Sequence, residues 1–152
     1  FYTIVYAITS SVAFGVLLLL NRKGFEAENI NDLSGLNEIN PWIAALLAIA
    51  MLSMAGVPPT VGFYAKLSVL QAVIQVDMVW LALIAVLFTV IGLFYYLRVI
   101  KVMYFDKPEQ DKLPTIKQSL DVKILLSANG LSLIGLGIFP SALMGYCILA
   151  FS

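Results

Sequence analysis

The sequence has no histidine and only one cysteine, Cys147, among its 152 residues. Histidine and cysteine are the usual protein ligands of zinc, haem and iron–sulfur clusters, and a disulfide needs a second cysteine. The sequence therefore excludes disulfides and such metal centres on this chain, and any redox chemistry associated with it takes place on another subunit. Charged residues are also few, at 12% of the chain, with nine basic and nine acidic side chains.

Apolar residues make up 61% of the sequence, and the mean hydropathy is +0.97. A soluble domain of this size has no need for so much apolar surface, so the composition indicates an integral membrane protein. Phe1 already lies inside an apolar run, with neither an initiator methionine nor the basic leader of a secretory signal. We therefore expect a piece of a longer chain.

Four apolar stretches are each long enough to cross a bilayer, whose hydrocarbon core is about 30 Å thick. They cover about residues 1–20, 42–76, 78–104 and 122–151. We predict an all-α polytopic membrane protein with four transmembrane spans, in a single membrane domain over residues 1–152. Asn40 and Pro41 are predicted to start the second span, as its N-cap residue and its first-turn proline.

The second stretch is too long for one straight helix, because its roughly 35 residues would extend about 52 Å. Gly56, Pro58 and Pro59 lie in its middle, and proline both removes an amide donor and clashes with the preceding turn. We predict two half-helices that meet at a non-helical break over residues 56–59. Backbone of this kind is tolerated at membrane depth where protein covers it or where it lines a polar cavity, and broken helices often form ion sites in transporters. The alternative is a simple kink that relieves hydrophobic mismatch.

Lys66 is the one charged residue in the second half of that stretch. A lysine at the centre of a span costs about 2.5–3.5 kcal/mol on insertion scales, so its default interpretation is functional. The alternative is a side chain that snorkels to the headgroups. Lys66 lies eight residues after Pro58 and eleven before Asp77, about 12 and 16 Å along a helix, which makes either route to the surface long.

We predict that Lys66 is a proton relay. Burial disfavours the charged form of a lysine and an acidic neighbour favours it, so a lysine between these influences can gain and lose a proton. All nine carboxylates lie in or beside the predicted loops. If Lys66 has a charge partner, that partner must therefore come from outside this piece or be a chain of buried waters.

Other polar side chains near the break are candidates for a polar path to Lys66. They are Ser53, Thr60, Tyr64, Ser68 and Gln71, with Asn129 extending the route from the fourth span toward the cytoplasm. For each of them the alternative is an ordinary hydrogen bond between packed helices.

Basic residues are distributed unequally between the two sides of the predicted bundle. Of the nine Lys and Arg, eight lie in or near the loops 21–41 and 105–121 or at the helix ends that face them, and the ninth is Lys66. By the positive-inside rule those two loops are cytoplasmic, and both ends of this piece are periplasmic.

Two segments carry a resemblance to a known family. They are Gly56–Lys66, with the sequence Gly-Val-Pro-Pro-Thr-Val-Gly-Phe-Tyr-Ala-Lys, and Phe94–Phe105, with the sequence Phe-Tyr-Tyr-Leu-Arg-Val-Ile-Lys-Val-Met-Tyr-Phe. The former resembles the broken helix of the antiporter-like membrane subunits of respiratory complex I, the NADH:quinone oxidoreductase. The latter is most similar to the subunit N type of the bacterial enzyme. The resemblance extends over essentially the whole chain.

The resemblance implies the C-terminal part of a bundle of about fourteen helices, in which the four spans are the eleventh to fourteenth. Such subunits contain two inverted repeats, each with a broken helix, and move protons while quinone is reduced elsewhere. It implies that Lys66 belongs to the central hydrophilic axis of the family. It further implies a bacterial inner-membrane location, other complex I membrane subunits as partners, and NADH, FMN, the iron–sulfur clusters and quinone on other subunits. We expect no cofactor or metal on this chain and no nucleic-acid partner.

Two alternatives come from other classes of protein. An Mrp-type cation/proton antiporter subunit or a membrane-bound hydrogenase subunit shares the broken helix and the lysine. The other is a purely structural membrane subunit that holds an assembly together, for which Lys66 would be replaceable by methionine without loss of function.

Overall fold

The computed structural model describes residues 1–21, 29–107 and 119–150, and within these ranges the regular structure is entirely helical. A single 3₁₀ turn covers Ile30–Leu33. The α-helices are α1 (Tyr2–Asn21), α2 (Leu36–Ile39), α3 (Pro41–Ala55), α4 (Val61–Gln75), α5 (Val79–Phe105), α6 (Leu120–Ile138) and α7 (Pro140–Leu149).

Three of these helices, α1, α5 and α6, are long and apolar enough to cross a membrane, and α3 is a shorter apolar helix. The first and third predicted spans therefore correspond to single helices. The second predicted span is occupied by α3 and α4, which are separated by residues 56–60. Asn40 occupies the N-cap position of α3 and Pro41 is its first residue, as predicted, although the side chain of Asn40 makes no capping bond to the helix.

The fourth predicted span, 122–151, is divided into two helices. α6 ends at Ile138 and α7 begins at Pro140. Proline disfavours the helical conformation of the residue before it, and Phe139 accordingly has φ −119° and ψ 63°. The stretch 122–151 is thus not one uninterrupted helix, and its last residue lies outside the described part of the chain.

The 3₁₀ turn and α2 lie within the predicted loop 21–41, and Leu33 and Leu36 are buried there. Most of the predicted loop 105–121 lies outside the described residues.

Helix α3 is the centre of the packing, because α1, α2, α4, α5 and α6 all contact it. Its buried side chains include Ile43, Leu46 and Leu47, which join residues of α1 and α6 in one apolar core. Helix α5 is the opposite case. Among its 27 residues only Ala82, Val102 and Met103 are buried, so it presents apolar side chains on nearly every side, as a helix in contact with lipid or with further membrane helices does.

Candidate functional site: Lys66 and the end of helix α3

Helix α3 ends at a glycine in the left-handed conformation. Gly56 has φ 78° and ψ 42°, a backbone state that costs other residues about 1–2 kcal/mol. Its N–H donates to the carbonyl of Ser53 at 3.1 Å, and the N–H of Val57 donates to the carbonyl of Leu52 at 3.0 Å. This pair of bonds is the Schellman ending of a helix, and it satisfies two of the four carbonyls that the last turn leaves without an intrahelical partner.

Lys66 forms a hydrogen bond with another of those four carbonyls. Its ammonium nitrogen Nζ donates to the backbone oxygen of Ala55, the last residue of α3, at 3.0 Å. The carbonyl end of a helix carries a partial negative charge of about half an elementary charge, so it attracts a cation. The chain itself therefore supplies a polar partner for Lys66, a backbone carbonyl at the end of α3.

The two helices on either side of the break lie against each other rather than end to end. Gly62, in the first turn of α4, is so close to α3 that an added methyl group would lie 1.8 Å from the carbonyl oxygen of Ser53. Lys66 lies one turn further along the same face of α4. Side-by-side contact at Gly62 is thus what brings the lysine to the end of α3.

The connection itself packs against α6. A methyl group added at Gly137 would lie 1.9 Å from the carbonyl oxygen of Pro59. Pro58 and Pro59 are exposed and are joined by a cis peptide bond. Thr60 is buried, and its hydroxyl donates to the carbonyl of Val57 at 2.7 Å, within the connection.

A cavity of about 160 Å³ borders Lys66 and has room for several water molecules. The polar side chains that line it come from four helices: Tyr2, Tyr6 and Thr9 of α1, Ser53 of α3, Lys66 of α4 and Tyr96 of α5. Val5, Met54, Gly62 and Ala65 complete the wall, which is therefore part polar and part apolar.

The structure brings only some of the predicted path residues to this cavity. Ser53 and Lys66 line it together. Ser68 donates to the carbonyl of Ala65 at 2.8 Å, Tyr64 makes an edge-to-face contact with Phe63, and Gln71 is exposed. None of these three, nor Thr60, lines the cavity.

Asn129 lies elsewhere, in a separate and mostly apolar cavity that Ser11 and Gly15 of α1 also line. Its place in a polar path stays a prediction, as do the path roles of the other hydroxyl and amide side chains. Among the residues that the structure describes, no group of three or more His, Cys, Asp or Glu side chains could hold a metal ion.

Three residues of this region were not selected from the sequence: Thr9, Gly62 and Gly137. Gly62 lies inside the motif that ends at Lys66, and Gly137 is one of several small residues spaced along the fourth span. Such small residues indicate that another helix packs closely there, but they do not show which helix it is. Thr9 gave only the weaker signal of a hydroxyl inside an apolar run.

Comparison with known proteins now adds the family. The transmembrane family described as NADH:quinone oxidoreductase/Mrp antiporter matches residues 1–92. The chain belongs to this family. With three helices long and apolar enough to cross a bilayer, it is a multi-pass membrane protein.

Within the antiporter family, the chain is similar to curated proteins named NADH-quinone oxidoreductase subunit N. It is 59% identical to that of Thioalkalivibrio sulfidiphilus over 95% of this chain and 30% of the relative. It is 53% identical to that of Nitrosomonas europaea over 99% of this chain and 31% of the relative. The chain thus spans about 30% of the length of these relatives.

Two solved structures share the fold. Respiratory complex I from Thermus thermophilus, solved with bound aureothin, matches with a TM-score of 0.77 at 23% identity, over 92% of this chain and 31% of the other. The Mrp complex from Dietzia sp. DQ12-45-1b matches with a TM-score of 0.76 at 18% identity, over 91% of this chain and 34% of the other. The helix arrangement is therefore common to both branches of the antiporter family.

Proposed function

We propose that this chain is part of a proton-translocating membrane subunit of NADH:quinone oxidoreductase, in which Lys66 takes up and releases the translocated proton. The observation that carries the proposal is the placement of Lys66, whose ammonium bonds the carbonyl end of α3 beside a polar cavity. An ammonium bound in this way has two further N–H donors. Those donors can hold cavity water, so the site suits a group that exchanges protons.

The chemistry needs only the lysine and water. The protonated form donates to the Ala55 carbonyl and can pass a proton from another N–H to a water in the cavity. The neutral amine that remains has a lone pair, with which it accepts the next proton. No other charged side chain lines the cavity among the residues described, so the helix end supplies the fixed negative pole for this exchange.

Sequence identity favours the oxidoreductase over the Mrp antiporter. The fold matches both branches about equally well, whereas the relatives at 59% and 53% identity are named as subunit N of NADH-quinone oxidoreductase. Complex I membrane subunits are accordingly the proposed partners. NADH, FMN, the iron–sulfur clusters and quinone would belong to other subunits.

The proposed arrangement in the membrane has four spans, with α3 and α4 forming one broken span and α6 and α7 the last. The basic residues support an orientation in which the segments 21–41 and 105–121 face the cytoplasm. Both ends of this chain would then lie on the periplasmic side of a bacterial inner membrane.

Replacement of Lys66 by methionine tests the proposal. In the intact complex reconstituted into proteoliposomes, Lys66→Met is expected to reduce NADH-driven proton uptake severalfold, because methionine fills a similar volume but carries no exchangeable proton. Lys66→Arg is expected to keep part of the uptake, since it retains a cation. Quinone reduction and complex assembly are measured on the same preparations.

The matched control is Lys101→Met, which removes an exposed basic residue near the end of α5. It is expected to pump like the wild type. If Lys66→Met also pumps and turns over like the wild type, Lys66 is a structural charge and the proposed function is wrong.

Gly56→Ala provides a test of the hydrogen bond itself. A methyl group here would lie 2.8 Å from the Cδ atom of Lys66, at a residue with φ 78°. The lysine chain is flexible and can move aside, so we expect an assembled complex in which the bond to Ala55 is weakened and proton uptake falls about two- to tenfold. Gly92→Ala is the control, because its nearest neighbour would be at an ordinary 3.8 Å. Equal uptake in both variants would show that the bond to Ala55 is not needed.

A further inference from the structure

A pair of buried hydroxyl groups links α1 to α3 next to Lys66. Thr9 and Ser53 are each only 2% exposed. Their oxygen atoms are 3.3 Å apart, and the Thr9 oxygen is also 2.8 Å from the carbonyl oxygen of Val5. Both side chains line the cavity that borders Lys66.

The direction of these bonds follows from counting hydrogens. A carbonyl can only accept, so the single hydroxyl hydrogen of Thr9 is directed to Val5. Thr9 therefore has only lone pairs to offer Ser53, and Ser53 must be the donor in the bond between them. With its own hydrogen directed at Thr9, Ser53 presents lone pairs to the rest of its surroundings.

Those lone pairs lie close to the lysine-bearing face of α4. A methyl group added at Gly62 would be 2.8 Å from the Oγ atom of Ser53, and Lys66 stands one turn beyond Gly62 on the same face. An ammonium and the water molecules bound to it need acceptors. Ser53, held by Thr9, is such an acceptor at the edge of the cavity.

We propose that Thr9 is a positioning residue for the proton relay: by fixing the hydroxyl of Ser53 as a hydrogen-bond acceptor toward the cavity, it stabilises the hydrated, protonated form of Lys66. The proposal rests on the proposed function. Without the Thr9 hydroxyl, the hydrogen of Ser53 would be free to turn into the cavity and donate. A donor there favours the neutral amine, so the relay would hold its proton less well.

The other titratable groups near the relay belong to α1, α5 and α6. Tyr2 and Tyr6 of α1 and Tyr96 of α5 line the same cavity. Helix α3 has no titratable side chain. On α6, Asp121 and Lys123 are exposed at its first turn and do not line the cavity.

Substitution of Thr9 by valine and by serine tests the proposal in the intact complex in proteoliposomes. Valine keeps the branched shape and removes the hydroxyl, whereas serine keeps the hydroxyl. Thr9→Val is expected to lower NADH-driven proton uptake about two- to tenfold, the factor that corresponds to one hydrogen bond. Thr9→Ser is expected to stay close to the wild type, and Ser53→Ala to fall as Thr9→Val does.

Thr89→Val is the matched control. The hydroxyl of Thr89 donates to the carbonyl of Ala85, four residues earlier, at 2.9 Å, just as that of Thr9 does to Val5. Thr89 does not line the cavity. Removal of its hydroxyl therefore measures the general effect of losing a threonine hydroxyl bonded to its own helix. We expect this variant to pump normally.

Parallel measurement of Lys66→Met separates the two proposals. Wild-type uptake in Thr9→Val, together with loss in Lys66→Met, would overturn the role of Thr9 and leave the relay standing. Equal losses in Thr9→Val and Thr9→Ser would also overturn it, since packing rather than the hydroxyl would then matter. If the Thr9→Val complex does not assemble, the Ser53→Ala variant provides the test instead. Wild-type proton uptake in Ser53→Ala would then contradict the proposal. Normal uptake in Lys66→Met would remove the proposed function itself.

Discussion

Gly62→Ala is expected to prevent assembly of the chain into the proposed complex. The added methyl group would lie 1.8 Å from the carbonyl oxygen of Ser53, and a backbone carbonyl in a helix cannot rotate away as a side chain can. Helices α3 and α4 would have to separate. Overpacking of a core costs about 1–3 kcal/mol and sometimes more, and a clash with backbone lies at the upper end.

The amount of assembled complex in membranes, measured on native gels, provides the readout for Gly62→Ala. We expect little of it. Gly92→Ala, on α5, is the control because its methyl group would meet only Tyr96 at 3.8 Å. Normal assembly and proton uptake in Gly62→Ala would show that α3 and α4 do not need their close contact.

Gly137→Ala is expected to have an effect of similar size, because it disturbs the contact between α6 and the connection that joins α3 to α4. Its methyl group would lie 1.9 Å from the carbonyl oxygen of Pro59 and 2.7 Å from backbone atoms of Thr60 and Val61. Helix α6 could then no longer lie against the connection between α3 and α4. We expect loss of assembled complex, measured in the same way.

Gly135→Ala is the matched control for that variant. Gly135 lies on the same helix, two residues away, and nothing would lie within 4 Å of an added methyl group. Alanine is favoured over glycine within a helix by up to about 1 kcal/mol, so this variant is expected to assemble at least as well as the wild type. Equal behaviour of the two alanine variants would contradict the close packing of α6 on the break.

The positions of the helices and of their ends were predictable, because they depend on residues that are close together in the sequence. Length and hydropathy predicted helices for the apolar stretches, and Asn40 with Pro41 predicted the start of α3. Gly56 and the two prolines predicted an interruption over residues 56–59, and α3 ends at Ala55 and α4 begins at Val61; that these two helices form one broken span stays a proposal. Pro140 carried the same kind of signal for the end of α6, but the apolar run on both sides of it favoured a single span.

The neighbours of each helix were not predictable, because an apolar helix in a membrane protein has no polar face to mark its outer side. Helices α3 and α5 illustrate this: both are apolar all round, yet α3 is central and α5 is largely exposed. For the same reason the sequence could not show that Gly62 would meet Ser53, or that Thr9 would come from another helix to the cavity of Lys66. Interhelical contacts of single small residues depend on the assembled bundle.

The hydrogen bond between Lys66 and Ala55 makes protonation and helix position interdependent. A displacement of α4 that the lysine side chain cannot follow weakens this bond and changes the free energy of the proton on Lys66. By thermodynamic linkage the effect is reciprocal. Loss of the proton therefore weakens the attachment of α4 to the end of α3 by the same free energy. In the proposed relay, a single lysine at a helix end would in this way couple the position of a helix to proton transfer, in both directions.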